Sequence, residues 1–284
     1  MPELPEVETI VRDLNDELRN KKIIAITSED KKVFLLSRSE VKMIIGEKVG
    51  SVRRRAKMII IDLGDWRLII HLKMTGQLVL KTRAGLLSGG HPIINQGEAL
   101  PNKFTRVTFE FSDNTVLFFN DIRRFGWVKL LNRAEFIKFN LSLGVEPLSQ
   151  DFTLAYFNQV LKLRRNTTIK QALLDQKHIV GIGNIYADES LFAARINPFR
   201  RVKTLKSKEI EKLWRLIPKI LALAIKHRGT SFSDYVDARG RTGNFMKLLK
   251  VYGRAGEKCA NCSGLVNKAK LGGRGTHWCD RCQK

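Results

Sequence analysis

Cysteine is missing from almost the whole chain: all four, Cys259, Cys262, Cys279 and Cys282, fall in the last 26 of 284 residues. That excludes a body stapled by disulfides and, in a reducing compartment, favours a metal site at the C-terminal end. Long apolar runs are also missing. None approaches the roughly eighteen residues that a membrane-spanning helix needs, and the first residues are acidic where a secretory signal is basic and then apolar. The expectation is a cytoplasmic protein with no membrane partner. Acid is scarce as well, with 28 Asp+Glu against 51 Lys+Arg, a net charge of +23. The excess is uneven: from Arg200 onward there are 21 basic and 6 acidic residues, +15, which leaves +8 for the first 199. So large a basic excess repels itself unless it meets a polyanion, and nucleic acid is the default candidate. A membrane surface fits less well, because no long basic helix carries an aromatic face. Internal repeats are absent too.

An apolar content of 43% with four Trp supports folded domains, and this length allows two cores. Val7, Ile10, Val11, Leu14 and Leu18 recur at helical spacing and predict a helix over 5–19 with one buried face. Short β-type runs follow at 23–27, 33–36, 49–53, 58–63, 67–71 and 77–80, then a long loop over 81–103. Val107, Phe109 and Phe111 alternate with polar neighbours, and strands resume at 115–119 and 127–131. The pattern is a β-sandwich with a leading helix, to about residue 131. A linker occupies 132–152. Helical periodicity then governs 154–163, 169–174, 185–194 and 210–224, with Gly181-Ile182-Gly183-Asn184 between the second and third helices. Two helices joined by such a turn form a helix-turn-helix type unit whose N-terminal N–H groups suit phosphate. The fold class is thus α+β and multidomain: β-sandwich 1–131, helical DNA-binding domain 153–250, and a cysteine finger 251–284.

Cys259-x2-Cys262-x16-Cys279-x2-Cys282 has the spacing of a four-thiolate zinc finger, two close pairs separated by a hairpin-length spacer. Four sulfurs fill the shell, so the single ion is structural. Gly272-Gly273-Arg274-Gly275 forms the fingertip turn, and Arg274 there suits a phosphate fork. At the other end stands Met1-Pro2-Glu3-Leu4-Pro5-Glu6. Removal of Met1 before a small residue leaves Pro2 as a secondary amine beside Glu3. With a reference pKa near 8, roughly a tenth of an α-amine is neutral at pH 7, against well under a thousandth of a lysine, and a neutral amine forms Schiff bases.

Six sequence motifs besides the four cysteines carry a family resemblance. They are Met1-Pro2-Glu3-Leu4-Pro5-Glu6-Val7-Glu8-Thr9, Arg54-Arg55-Ala56-Lys57, His71-Leu72-Lys73-Met74, Asp121-Ile122-Arg123-Arg124-Phe125-Gly126, Gly181-Ile182-Gly183-Asn184-Ile185-Tyr186-Ala187 and Val251-Tyr252-Gly253-Arg254. In this order, over essentially the whole length, the chain resembles the formamidopyrimidine-DNA glycosylases, bacterial enzymes of base-excision repair.

The resemblance implies a β-sandwich domain, a helix–two-turn–helix domain and a zinc finger, with damaged double-stranded DNA in the cleft between domains and a monomeric enzyme. It implies a bifunctional glycosylase/AP lyase in which Pro2 forms the Schiff base at the sugar C1′ and Glu3 protonates the sugar. Lys57 contacts phosphate and assists β-elimination, and Arg274 assists δ-elimination. Met74, Arg123 and Phe125 match the residues that fill the gap left by a flipped nucleotide, and Asn184 matches a phosphate contact. Arg165 stands where the family usually has a DNA-contacting lysine. Lys103-Phe104-Thr105-Arg106 replaces a common Lys-His-Asp-His run, so any histidine-mediated DNA contact there is lost or moved to Arg106, and Lys73 replaces a common glycine. Glu6 is read as a helix-start acid or a support for the catalytic pair, and 228–245 as a lid over the flipped base. Leu4 matches the branch acting on oxidised purines such as 8-oxoguanine and formamidopyrimidines; the alternatives are an endonuclease VIII-like enzyme for oxidised pyrimidines and a non-catalytic zinc-bearing DNA-binding protein.

Overall fold

A computed structural model describes residues 1–90, 99–230 and 244–284. The chain divides into two units, Met1–Leu141 with His227–Asn244, and Ser142–Lys226 with Phe245–Lys284.

The first unit begins with helix α1 (Leu4–Leu18). Pro5 lies in its first turn, where a missing N–H costs nothing. Glu3 is the N-cap and forms a capping box with Glu6. Leu4, Val7, Ile10, Val11, Leu14 and Leu18 are buried along one face, each contributing about 1.5–3 kcal/mol. This face seats the helix and holds the chain's first residues in one place.

Nine strands follow: β1 (Ile23–Thr27), β2 (Val49–Arg55), β3 (Met58–Leu63), β4 (Trp66–His71), β5 (Gly76–Thr82), β6 (Gly85–Gly90), β7 (Thr105–Phe111), β8 (Val116–Asp121) and β9 (Trp127–Asn132). They form two antiparallel sheets, ordered β1-β7-β8-β5-β6 and β2-β3-β4-β9. Phe109, Phe111 and Phe119 from one sheet and Ile59, Ile61 and Ile70 from the other share one core with α1. The chain changes sheets three times, first from β1 to β2, and two later crossings bear on the site, β4 to β5 and β8 to β9. Because Gly76 pairs with Asp121 and His71 with Trp127, both crossings lie at the same end of the sandwich.

The structure departs from the sequence expectation in four places, one of them a helix at Arg133–Leu141 inside the expected linker 132–152. The run 33–36 is not a strand; it makes a single parallel bridge, Phe34 to Val128, because Asp30 closes a turn just before it. Helix α2 (Arg38–Ile44) is too short to show a period, though Ser37 and Glu40 form its capping box. Within the expected loop 81–103, Gly85–Gly90 pairs with β5 along its whole length. Its Gly-Leu-Leu-Ser-Gly-Gly sequence has no alternation to reveal that. Helix α3 (Arg133–Leu141) closes the unit.

The second unit holds α4 (Leu154–Leu163), α5 (Ile169–Leu173), α6 (Asn184–Ala194), α7 (Ser207–Lys226) and the hairpin β10 (Asn267–Leu271)–β11 (Arg274–Trp278). Thr153 and Thr168 cap α4 and α5. Between α5 and α6, the Gln176 amide accepts from Gly181 N–H and donates to the carbonyls of Leu174 and Ile182. One side chain thus fixes both turns of the helix–two-turn–helix.

Lys170 and Asp188, fully buried, pair at 2.6 Å. The ammonium also donates to Gly275 O and Thr276 Oγ1, and the carboxylate accepts from His277 N–H. A buried pair with its two charges matched is tolerated in the core; half of it is not. Lys170→Met is expected to cost about 3–5 kcal/mol by leaving Asp188 buried without its counter-charge, read as a lower urea midpoint at constant slope.

Candidate active site and nucleic-acid interface

In the first unit, α1 delivers the chain's α-amine into a cluster of buried charge. Glu3, Glu6 and Lys57 are 4%, 3% and 6% exposed. Burial pushes the Met1 amine below its ordinary value, and Lys57 adds to that, while Glu3 and Glu6 oppose it. An amine in this setting is more neutral at pH 7 than one in water, which is what nucleophilic attack requires.

Glu6 fixes the surroundings. One carboxylate oxygen accepts from Glu3 N–H at 2.9 Å. The other accepts from Thr230 N–H at 2.8 Å and Thr230 Oγ1 at 3.1 Å. The neighbouring Gly229, at φ +77°, leaves room for that carboxylate: a Cβ there would lie 2.7 Å from Glu6 Oε1. Glu6 thus starts the helix and ties the N-terminus to a second segment. Residues 231–243, most of the expected lid, lie outside the described residues.

Lys57 lies in the β2–β3 turn beside Ala56, which is left-handed at φ +55°. Arg54 holds that turn by donating to Ala56 O at 2.9 Å, and its Nε donates to Glu8 of α1, also at 2.9 Å. Amine and lysine are therefore braced against the same helix. The pairing of Arg54 with Glu8 joins residues 46 positions apart, which neither motif reveals by itself.

The two sheet crossings present the wedge candidates. Met74 and Phe125 are each 46% exposed, and Arg123 between them in the chain is exposed too. Arg123 N–H donates to Thr75 Oγ1 at 3.1 Å, so the two turns are joined. The Arg123 guanidinium stacks on the Phe125 ring at 4.5 Å. Arg106 directs its Nε inward to Asp121 O at 2.8 Å.

His71, which ends β4, accepts Lys73 N–H on Nδ1 at 3.0 Å and packs on Trp127. Burial, then the charges of Lys73 and Lys57, push its pKa down to about 3. The folded value lies below the ordinary 6.5, so this group withdraws stability as pH falls from about 6.5 towards 3. Histidine NMR signals should show one imidazole that does not titrate between about pH 8 and 5 and disappears in His71→Gln; a residue-71 midpoint near 6.5 would contradict the site's geometry.

In the second unit, Gly272 and Gly273 take φ +57° and +76° between paired Leu271 and Arg274. Two left-handed residues make the tight hairpin turn that leaves Arg274 exposed beside the tip. Gly275 O is held by Lys170 and, at 2.8 Å, by the Asn184 amide. Asn184 opens α6 with its Oδ1 buried and unpartnered among the described residues. Arg165 is exposed ahead of α5. Finger tip and helix–two-turn–helix thus form one braced piece that carries Arg165, Asn184 and Arg274.

The four cysteine sulfurs lie within 4.8 Å of one another, with Cys259–Cys282 at 3.7 Å and Cys262–Cys279 at 3.6 Å. A tetrahedral zinc with bonds of about 2.3 Å sets its sulfurs about 3.8 Å apart, so the donors fit. Burial and the neighbouring sulfurs raise the Cys279 and Cys282 thiols; a divalent ion is what allows four thiolates this close. The site holds one structural zinc.

A β-sandwich, a helix–two-turn–helix and a zinc hairpin define a class, the zinc-bearing DNA-binding repair enzymes. Residues 1–128 match the family described as "Formamidopyrimidine-DNA glycosylase N-terminal domain", 143–236 "Formamidopyrimidine-DNA glycosylase H2TH domain", and 256–284 "Zinc finger found in FPG and IleRS". The formamidopyrimidine-DNA glycosylase of Pelotomaculum thermopropionicum is 40% identical over all of this chain and 99% of its own, and that of Listeria innocua 36% over all of both. A Lactococcus lactis FPG mutant bound to Fapy-dG containing DNA aligns with TM-score 0.88 at 35% identity, covering all of both chains. The same organism's Fpg with an abasic site containing DNA gives 0.87 at 35% over 99% of each.

The chain belongs to the formamidopyrimidine-DNA glycosylase family. It is a DNA glycosylase of DNA repair, with a zinc finger and a DNA substrate.

Proposed function

We propose that the chain excises oxidised purines, 8-oxoguanine and formamidopyrimidines, from duplex DNA and then cleaves the strand at the resulting abasic site. The burial of Glu3, Glu6 and Lys57 about the start of α1, into which Pro2 leads, carries this reading. With Met1 removed, the Pro2 nitrogen attacks the sugar C1′, the glycosidic bond breaks, and the base departs with its electron pair. Glu3 protonates the ring oxygen as the sugar opens, giving an iminium between Pro2 and C1′. Loss of a C2′ proton, assisted by Lys57, expels the 3′-phosphate, and a second elimination assisted by Arg274 expels the 5′-phosphate.

Reaching C1′ requires turning the nucleotide out of the stack, at about a few kcal/mol. Met74, Arg123 and Phe125 fill the gap, as minor-groove wedges do. Arg165, Asn184 and Arg274 hold the backbone. Arg274→Ala should lower affinity similarly across sequences and flatten the salt dependence by about one phosphate's worth; an unchanged slope of binding against salt removes Arg274 from the DNA contacts.

A second reading has a specific observation behind it: a Lactococcus lactis Fpg of TM-score 0.86 was solved with an oxidized pyrimidine containing DNA. Leu4 favours the purine branch. Borohydride trapping on duplexes carrying 8-oxoguanine or an oxidised pyrimidine decides between them. Faster trapping on the purine supports the proposal, and preference for the pyrimidine moves the chain to the sister activity. We place the enzyme in the bacterial cytoplasm, at the nucleoid, as a monomer; sedimentation with a single lesion duplex tests the last point by its stoichiometry.

A further inference from the structure

The turn that presents Arg123 and Phe125 is held from two sides. From within, the fully buried Asp121 carboxylate accepts from Thr75 Oγ1, from Arg123 N–H at 3.2 Å and from Gly126 N–H at 2.7 Å. From outside, Arg124 reaches Asp30 through two parallel bonds, Nε–Oδ2 at 2.6 Å and Nη2–Oδ1 at 2.9 Å. Arg124 stands at φ +55°, a conformation that side chains adopt only when something holds them there.

Asp30 is itself fixed before it meets Arg124. Its Oδ1 caps the N–H groups of Lys32 and Val33 at 3.1 and 3.3 Å, and it is 9% exposed. Burial works against its charge, but the Arg124 bond and the two N–H groups outweigh it, so the carboxyl sits below its ordinary range. Ser28 Oγ accepts from Asp30 N–H at 3.2 Å and donates to Arg106 O at 2.6 Å. Arg106 in turn donates to Asp121 O and comes within 3.8 Å of Asp30. Arg124 and Asp121 belong to the same turn, so the links from Asp30 through that turn, Arg106 and Ser28 lead back to Asp30. Lys32, on the Asp30 turn, also lies 5.7 Å from the centre of the Phe125 ring.

We propose that Asp30 is a positioning residue for the wedge: by clamping Arg124 it sets Arg123 and Phe125 in their presented geometry before DNA arrives. The inference rests on the functional reading above and adds to it a residue remote from the reacting atoms. Without the clamp the turn must be ordered during base extrusion, which taxes only substrates whose base has to leave the stack. An abasic site has no base to extrude.

The test compares Asp30→Asn, Arg124→Gln and their double variant with wild type under single-turnover conditions. Excision of 8-oxoguanine and strand cleavage at a preformed abasic site are followed in one duplex sequence, with 2-aminopurine beside the lesion reporting unstacking. Each single variant should slow excision and the fluorescence change about tenfold, leave abasic-site cleavage within about twofold, and the double variant should be no slower than either single one. Equal loss in both reactions, no loss in either, or additive losses in the double variant would overturn the positioning role. Wild-type protein that cleaves abasic sites yet excises neither 8-oxoguanine nor a pyrimidine lesion would instead overturn the functional reading, and this inference with it.

Discussion

Protein that retains Met1 is expected to bind damaged duplex DNA and leave it uncut. With Met1 in place, Pro2 nitrogen is an amide; the only α-amine belongs to Met1, one residue too early for the geometry that α1 and the Glu3–Glu6 capping box impose. An amide nitrogen has no lone pair free to attack C1′, so the loss should be complete and not graded. Fractions separated by intact mass, assayed on an 8-oxoguanine duplex, check this: cleavage should track the fraction beginning at Pro2. Glu3→Gln separates the two halves of the reaction. It keeps a hydrogen-bonding N-cap but removes the proton, and a positioned general acid contributes about 10²–10⁴-fold. Base excision should fall by about that factor, while cleavage at a preformed abasic site falls less, because there the glycosidic bond is already broken.

Stripping the zinc should have the second large effect, confined at first to the second unit. The ion gathers Cys259, Cys262, Cys279 and Cys282, which close the C-terminal element around the β10–β11 hairpin. Gly275, Thr276 and His277 of that hairpin complete the shell of buried Lys170 and Asp188. Structural zinc contributes apparent energies of about 10–16 kcal/mol in isolated finger peptides, far above what the hairpin alone supplies. Metal loss therefore removes the finger's fold, unseats Arg274 and exposes an ion pair that is stable only when enclosed. Chelated protein should lose DNA affinity by about a hundredfold or more, equivalent to the loss of several phosphate contacts, while the β-sandwich signal in far-ultraviolet circular dichroism persists. Restored affinity on adding back one equivalent of zinc per chain completes the test; full affinity without metal would contradict a structural role.

Much of this was legible in the residues themselves. The period of Val7, Ile10, Val11, Leu14 and Leu18 located α1, and the helical runs of the second unit appear within three residues of their expected ends. The cysteine spacing alone specified the metal site that the sulfur positions fit. What stayed hidden was long-range. Gly85–Gly90 becomes a strand because β5 offers it an edge, not because its own sequence alternates. Lys170 reads as one more surface cation until the fold buries it against Asp188, some eighteen positions away. Arg106 lies in a segment expected to touch DNA, yet its Nε is spent on Asp121 O. Asp30 belongs to no motif at all. Its partner is 94 residues along the chain, and only the packing of the segment after β1 against the β8–β9 crossing brings them together.

The central claim is that residue 2 does the covalent chemistry, and one measurement addresses it directly. Wild-type protein is reduced with borohydride during reaction on an 8-oxoguanine duplex, digested, and the DNA-bearing peptide sequenced by mass spectrometry. The account predicts one modified position, the Pro2 nitrogen, bonded to C1′ of the lesion sugar. Adduct at Lys57, or no adduct in protein that cuts the strand, would contradict it.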